Sequence, residues 1–106
     1  MKTITINTAE LSGAALDWAV AVAIGKQPVL WSSWSPSTDW SQGGTLIERH
    51  DVWLSSEAIP GPWLASINGC GLETGPTPLI AACRAIVYRV LGDTVDVPAE
   101  LVEVKK

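Results

Sequence analysis

Thr77-Pro78-Leu79-Ile80-Ala81-Ala82-Cys83-Arg84-Ala85-Ile86-Val87-Tyr88-Arg89-Val90-Leu91-Gly92 is the segment on which the fold turns. Thr77 is a good N-cap, and Pro78 suits the first helical position, where its missing N–H costs nothing. Gly92 lies just past the last periodic residue, so the pattern predicts a helix over residues 79–91. Leu79, Cys83, Ile86 and Val90 form its core stripe. Arg84 and Arg89 must leave that stripe or find an anion, and an ion pair from Arg84 to Asp17 or Glu48 is the simplest use of that charge.

The surroundings of this helix read as short strands and one further helix. Upstream, Pro60, Gly61 and Pro62 break the chain before Trp63, Ala65 and Ile67, which share one face of a strand. Asn68-Gly69 then favours a type I′ turn, which predicts a hairpin into residues 70–74. Downstream, Val95 and Val97 suggest a last strand, and Pro98 to Leu101 a final turn.

At the N-terminus Ile4 and Ile6 alternate with Thr3 and Thr5 in a strand pattern, Thr8 stands at an N-cap position, and Glu10 suits a first helical turn. Leu11, Ala15, Trp18 and Val22 fall at helical spacing while Leu16, Val20 and Ile24 fill a second face. This helix is therefore apolar nearly all round, belongs in the core, and ends at Gly25.

Between the two helices, Pro28 and then Val29, Leu30 and Trp31 suit a strand within residues 27–34, and residues 35–41 are rich in turn formers. Gly43 and Gly44 permit a tight backbone before about one helical turn at Leu46 to Arg49, and Val52, Trp53 and Leu54 return to an extended form. Residues 1–106 thus read as one α+β domain, a small antiparallel sheet packed against two principal helices.

The composition sets limits on partners. An apolar fraction of 47% with 17% charged residues and a mean hydropathy of +0.24 belong to a globular chain. The longest apolar runs carry Asp17 or Arg84 and Arg89 and are too short to span a bilayer, so no membrane role is expected. With a net charge of −4 and only Lys26, Arg49, Arg84 and Arg89 away from the ends, broad nucleic-acid binding is not expected either. Cys70 and Cys83 lack metal or redox spacing and read as reduced thiols of a cytoplasmic protein.

Several separate motifs resemble the phage NinX-like family, small proteins of lambdoid phages. They are Leu16-Asp17-Trp18-Ala19-Val20-Ala21, Pro36-Ser37-Thr38-Asp39-Trp40-Ser41-Gln42-Gly43-Gly44 with Leu46-Ile47-Glu48, Thr77-Pro78-Leu79-Ile80-Ala81-Ala82 with Arg84, then Leu91-Gly92-Asp93 and Val97-Pro98. The resemblance spans nearly the whole chain and is weakest over residues 55–74. It implies a phage accessory protein acting in the host cytoplasm and supplies no catalytic residues.

The chemistry of these segments points to binding. Six tryptophans and no Phe make indoles the bulky core residues, Trp18 foremost. Trp34 and Trp40 differ because they flank a polar loop, where a flat indole stacks on a base. Thr38 and Asp39 either close that loop or accept hydrogen bonds from a ligand. Gly43 and Gly44 either make a turn or offer bare N–H groups to an anion. Thr77 begins a helix whose first N–H groups attract anions, and Arg84 lies about two turns further in. The ligand-binding set is therefore Trp34, Thr38, Asp39, Trp40, Gly43, Gly44, Thr77 and Arg84.

Catalytic and metal-ligating residues are not expected. His50 is the only histidine, reads as a surface residue, and has no marked nucleophile or metal partner. No cofactor is expected. The partner read from these features is a small nucleotide-like molecule, in particular a host defence signal to be sequestered; the alternative is a host protein bound through exposed tryptophans. A homo-oligomer sharing a site between subunits would also fit a chain this small.

Overall fold

A computed structural model describes residues 2–28, 33–56, 62–69 and 71–102. In chain order these form β1 (Thr3–Asn7), a 3₁₀ turn (Thr8–Glu10), α1 (Gly13–Ile24), α2 (Trp40–Arg49), β2 (Val52–Ser56), β3 (Trp63–Ile67), β4 (Glu73–Gly75), α3 (Pro78–Leu91), β5 (Thr94–Pro98) and a second 3₁₀ turn (Ala99–Leu101). The fold is α+β as expected, and among the described residues it has three helices and two small antiparallel sheets.

α3 is the central element. Its cap forms as its sequence requires, with the Thr77 hydroxyl accepting the Ile80 N–H at 3.1 Å, Pro78 in the first turn, and Gly92 closing the C-terminus at φ 92°. It packs against the β2–β3–β4 sheet, against α1 and against α2. Leu79, Ala81, Ala82, Cys83, Ala85, Ile86 and Val87 are buried in consequence. Val90 shares the predicted stripe but is 52% exposed, while Leu91 beside it packs against the core.

The termini close the other side. β1 pairs with β5, setting Ile4 against Val97 and Ile6 against Val95, and these apolar pairs pack into the same core as α1 and α3. Thr8 does not cap α1. It is buried, its hydroxyl donates to the Gly92 carbonyl at 2.6 Å, and its N–H donates to the Asp93 carbonyl at 2.7 Å, so it ties the end of β1 to the start of β5. α1 begins later, at Gly13, and ends at Gly25 in the left-handed region, where Lys26 N–H returns to the Ala21 carbonyl at 2.8 Å.

The β3–β4 connection departs from the predicted hairpin by one residue. Asn68 and Gly69 both have positive φ, at 51° and 70°, as a type I′ turn demands. A two-residue turn would set Ala65 against Leu72, yet its partner is Glu73. The longer connection brings Gly71, at φ 79°, under the Tyr88 ring of α3, where a side chain would meet ring carbon Cδ2 at 2.9 Å. β4 accordingly begins at Glu73 and not at residue 70. The extended segment at Val52 forms β2 as read, pairing Val52 with Ile67 and Leu54 with Ala65. The strand expected at Val29, Leu30 and Trp31 lies outside the described residues, as does Cys70.

Candidate functional site

α2 is where the sequence reading changes most. It has 10 residues, beginning at Trp40, in place of about one turn after the glycine pair. The Asp39 carboxylate caps it, accepting the Ser41 N–H at 2.9 Å, the Ser41 hydroxyl at 2.7 Å and the Gln42 side-chain amide at 3.0 Å. The Ser41 bonds hold the Asp39 carboxyl below the usual carboxylate range. Gly43 and Gly44 therefore lie inside a helix. The Gly43 N–H donates to the Asp39 carbonyl at 2.8 Å and is not offered to an anion.

The turn before α2 is held to α1 by one buried carboxylate. Ser35 carbonyl accepts from Thr38 N–H and Asp39 N–H at 3.1 and 3.0 Å, and Ser35 N–H donates to Gln42 Oε1 at 2.6 Å. Ser37 N–H then donates to Asp17 Oδ1 at 2.9 Å. Asp17 is buried, and burial raises its carboxyl above the usual range against the pull of Ser37. The Ser37 hydroxyl is close enough to contribute to that pull, but it is fully buried and completes no hydrogen bond of good geometry.

This junction walls a cavity of about 350 Å³, lined among others by Asp17, Trp18, Lys26, Gln27, Trp34 and Thr38. The Lys26 ammonium lies 5.0 Å from the centroid of the Trp34 ring, a cation–π arrangement at the edge of this space. Asp17 lines this cavity, and its Oδ2 makes no hydrogen bond of good geometry among the described residues. Two indoles, one ammonium and one carboxylate thus face a single space.

Of the residues read as a site, Trp34 and Thr38 line this cavity. Asp39 is the α2 cap beside it. Trp40 is 56% exposed in the first turn of α2 and does not line it. Gly43 packs against the Pro36 carbonyl and Leu79, and Gly44 lies under the Trp40 indole. Arg84 belongs to a different depression, of about 440 Å³, with Pro62, Thr74, Gly75 and Pro76.

Arg84 forms neither of the anticipated ion pairs. Its Nε donates to the Leu11 carbonyl at 2.9 Å and its Nη1 to the Thr74 carbonyl at 2.7 Å, which staples the entry of α1 to β4. Burial lowers its pKa, and Glu73 is the acid that opposes this. Glu73 is itself shifted upward by burial.

Asp17, Trp18 and Lys26 line the same cavity but do not stand among the residues the sequence groups with Trp34 and Thr38. Trp18 does pack against the core, as its spacing implies, and also lines the cavity. Asp17 carried a usable signal as the one charge in the apolar run of α1. Lys26 carried none, since only the left-handed turn at Gly25 brings it back over Trp34.

Other reactive groups are occupied or inert. Cys83 is a free, buried thiol pushed up to about 12 by burial. His50 is half-buried and not a surface residue. Its Nε2 is sealed without a partner among the described residues, and burial together with the Arg49 and Arg89 charges lowers its pKa. Among the described residues no group of three His, Cys, Asp or Glu side chains could hold a metal ion, and no helix is long and apolar enough to cross a membrane.

Asp17 has a signed pH consequence. Because its native pKa lies above the unfolded value of about 3.9, the fold holds this proton more tightly than the unfolded chain. That contribution is complete below the unfolded pKa and is lost as pH rises through the native one. Asp17→Asn keeps an acceptor for Ser37 N–H and removes the titration. Urea unfolding of both forms across the acid range should show the native chain losing stability relative to Asp17→Asn as pH rises through that window, then running parallel. A relative gain with pH would mean that hydrogen bonding outweighs burial at this carboxyl.

The fold is a small α+β domain with an indole-walled cavity between its first helix and the loop entering its second. The family described as Bacteriophage P22, NinX matches residues 7–89, and the chain belongs to that family of phage proteins. The match takes in α1, the Trp34–Asp39 loop and most of α3. No curated protein matches the chain.

Proposed function

We propose that this phage protein binds a small nucleotide-like molecule in the α1 cavity and, without catalysis, sequesters it as a host defence signal in the host cytoplasm. The observation that carries the reading is the joint presence of Trp18, Trp34, Lys26 and Asp17 on one space of about 350 Å³. That volume lies within the range of small-molecule sites. An indole stacks on any nucleobase, an ammonium pairs with phosphate, and a carboxylate accepts base N–H groups. Trp34 and Thr38 carry the site, with Asp17, Trp18 and Lys26 beside them.

The test is thermal unfolding of the purified protein against nucleotides, cyclic dinucleotides and ADP-ribose derivatives. A ligand at 100 times its Kd adds about 2.7 kcal/mol of stability. The expected result is a clear shift with one compound class, abolished by Trp34→Ala and kept by Trp40→Ala. If no compound moves the transition, the reading fails.

A second reading has its own support. Trp40 and Trp53 are 56% and 55% exposed, and Trp53 shares a broad depression with Leu72, which is 57% exposed. Exposed indoles are favoured at interface hot spots, which suits a module that inhibits or redirects a host protein. A stoichiometric host protein recovered on the native chain and lost with Trp53→Ala would favour this alternative. A small molecule released by heating would favour the first.

A further inference from the structure

Resting on the nucleotide-binding reading, we propose that the ligand of the α1 cavity presents an exocyclic amine to Asp17 Oδ2, with its anionic group beside Lys26. The site therefore selects amino-bearing bases over their carbonyl counterparts. A buried carboxylate is costly. Asp17 interrupts an otherwise apolar helix and is 9% exposed, yet it receives one backbone N–H, from Ser37, on Oδ1. A buried carboxylate takes several donors when it is purely structural. Here Oδ2 makes no hydrogen bond of good geometry among the described residues, and Asp17 lines the cavity.

The neighbouring groups narrow what that oxygen can accept. The Ser37 hydroxyl is sealed and incompletely bonded beside the same carboxyl, so the polar junction is under-supplied with partners. An ionised carboxylate only accepts, and accordingly attracts N–H donors and repels carbonyl oxygens. The Lys26 ammonium already lies over Trp34, where it favours a ligand with a negative group at the cavity edge. A cytosine or adenine ring supplies the amine and a stacking face together; uracil and hypoxanthine place a carbonyl at the same position.

The experiment uses the isosteric pairs CMP with UMP and AMP with IMP, titrated calorimetrically into the native chain and into Asp17→Asn. The native chain should prefer the amino member of a pair by about tenfold or more. In Asp17→Asn the amide oxygen stays with Ser37 N–H and the amide nitrogen faces the cavity, so the preference should vanish or reverse. Circular dichroism of Asp17→Asn confirms that the fold is retained; should it be lost, Asp17→Glu, with displaced oxygens, is expected to weaken the preference in its place. Equal binding within each pair, or a preference that survives substitution of Asp17, overturns this inference while nucleotide binding stands. Failure of all four compounds together with the wider nucleotide panel overturns both.

Discussion

Gly43→Ala lowers the stability of the protein by about 2 kcal/mol or more, and Gly44→Ala, one residue on in the same helix, raises it by about 0.5–1 kcal/mol. Both changes remove a glycine from α2, and intrinsic helix propensity favours each by about 1 kcal/mol. The surroundings decide the sign. A Cβ on Gly43 overlaps the Pro36 carbonyl and comes within 2.6 Å of Leu79 Cδ2. Backbone cannot swing aside as a flexible side chain can, so the turn that carries Trp34 would have to move or α2 would lift from α3. A Cβ on Gly44 meets Trp40 at 3.7 Å, an ordinary contact. Chemical denaturation of the two variants measures both effects against one reference. Equal and positive shifts would mean that the Pro36 turn yields freely.

Leu16→Ala should cost about 3–5 kcal/mol. Leu16 is fully buried in α1 beside Ala19 and Val20, within the core cluster that includes Ile86, Val87 and Val97. Truncation removes the transfer free energy of the lost carbons and leaves a void that two helices and two strands cannot close together. At this chain length the melting temperature should fall by more than about 10 °C. Val22, on the same helix and 37% exposed, serves as the control, with an expected loss well under that of Leu16. A denaturation midpoint that falls with an unchanged slope would confirm a loss of stability without a change in the unfolded state. A loss under about 1 kcal/mol would mean that the core refills the space, contrary to the packing of close-fitted interiors.

The most local features were the most legible. Thr77, Pro78 and Gly92 bound α3 because capping depends on one turn of backbone, and Gly25 ends α1 for the same reason. Alternation at Ile4 and Ile6 and at Val95 and Val97 marked two strands, which pair with each other. Glycine misled at α2. A Gly-Gly pair reads as a turn by propensity, but in this fold Gly43 lets the helix sit against Pro36 and Leu79, and close packing overrode propensity. The Asn68-Gly69 turn was right in its dihedral angles and wrong in its register, because Tyr88 packs over Gly71.

The site divided along the same line. Trp34 and Thr38, grouped because aromatic and polar residues stand together in one loop, both line the cavity. Thr77 and Arg84 were grouped with them on chemistry alone, and the fold spends both on structure, one as a cap and the other as a staple between Leu11 and Thr74. Sequence by itself determined the α+β class, the ends of its first and last helices, and its membership of a phage family, since these follow from periodicity, caps and motif order. Only the tertiary structure decided that Asp17, Trp18 and Lys26 meet Trp34 around one cavity. That meeting depends on where the Gly25 turn and the Ser37 hydrogen bond carry the chain, and such long-range geometry leaves no period in the sequence.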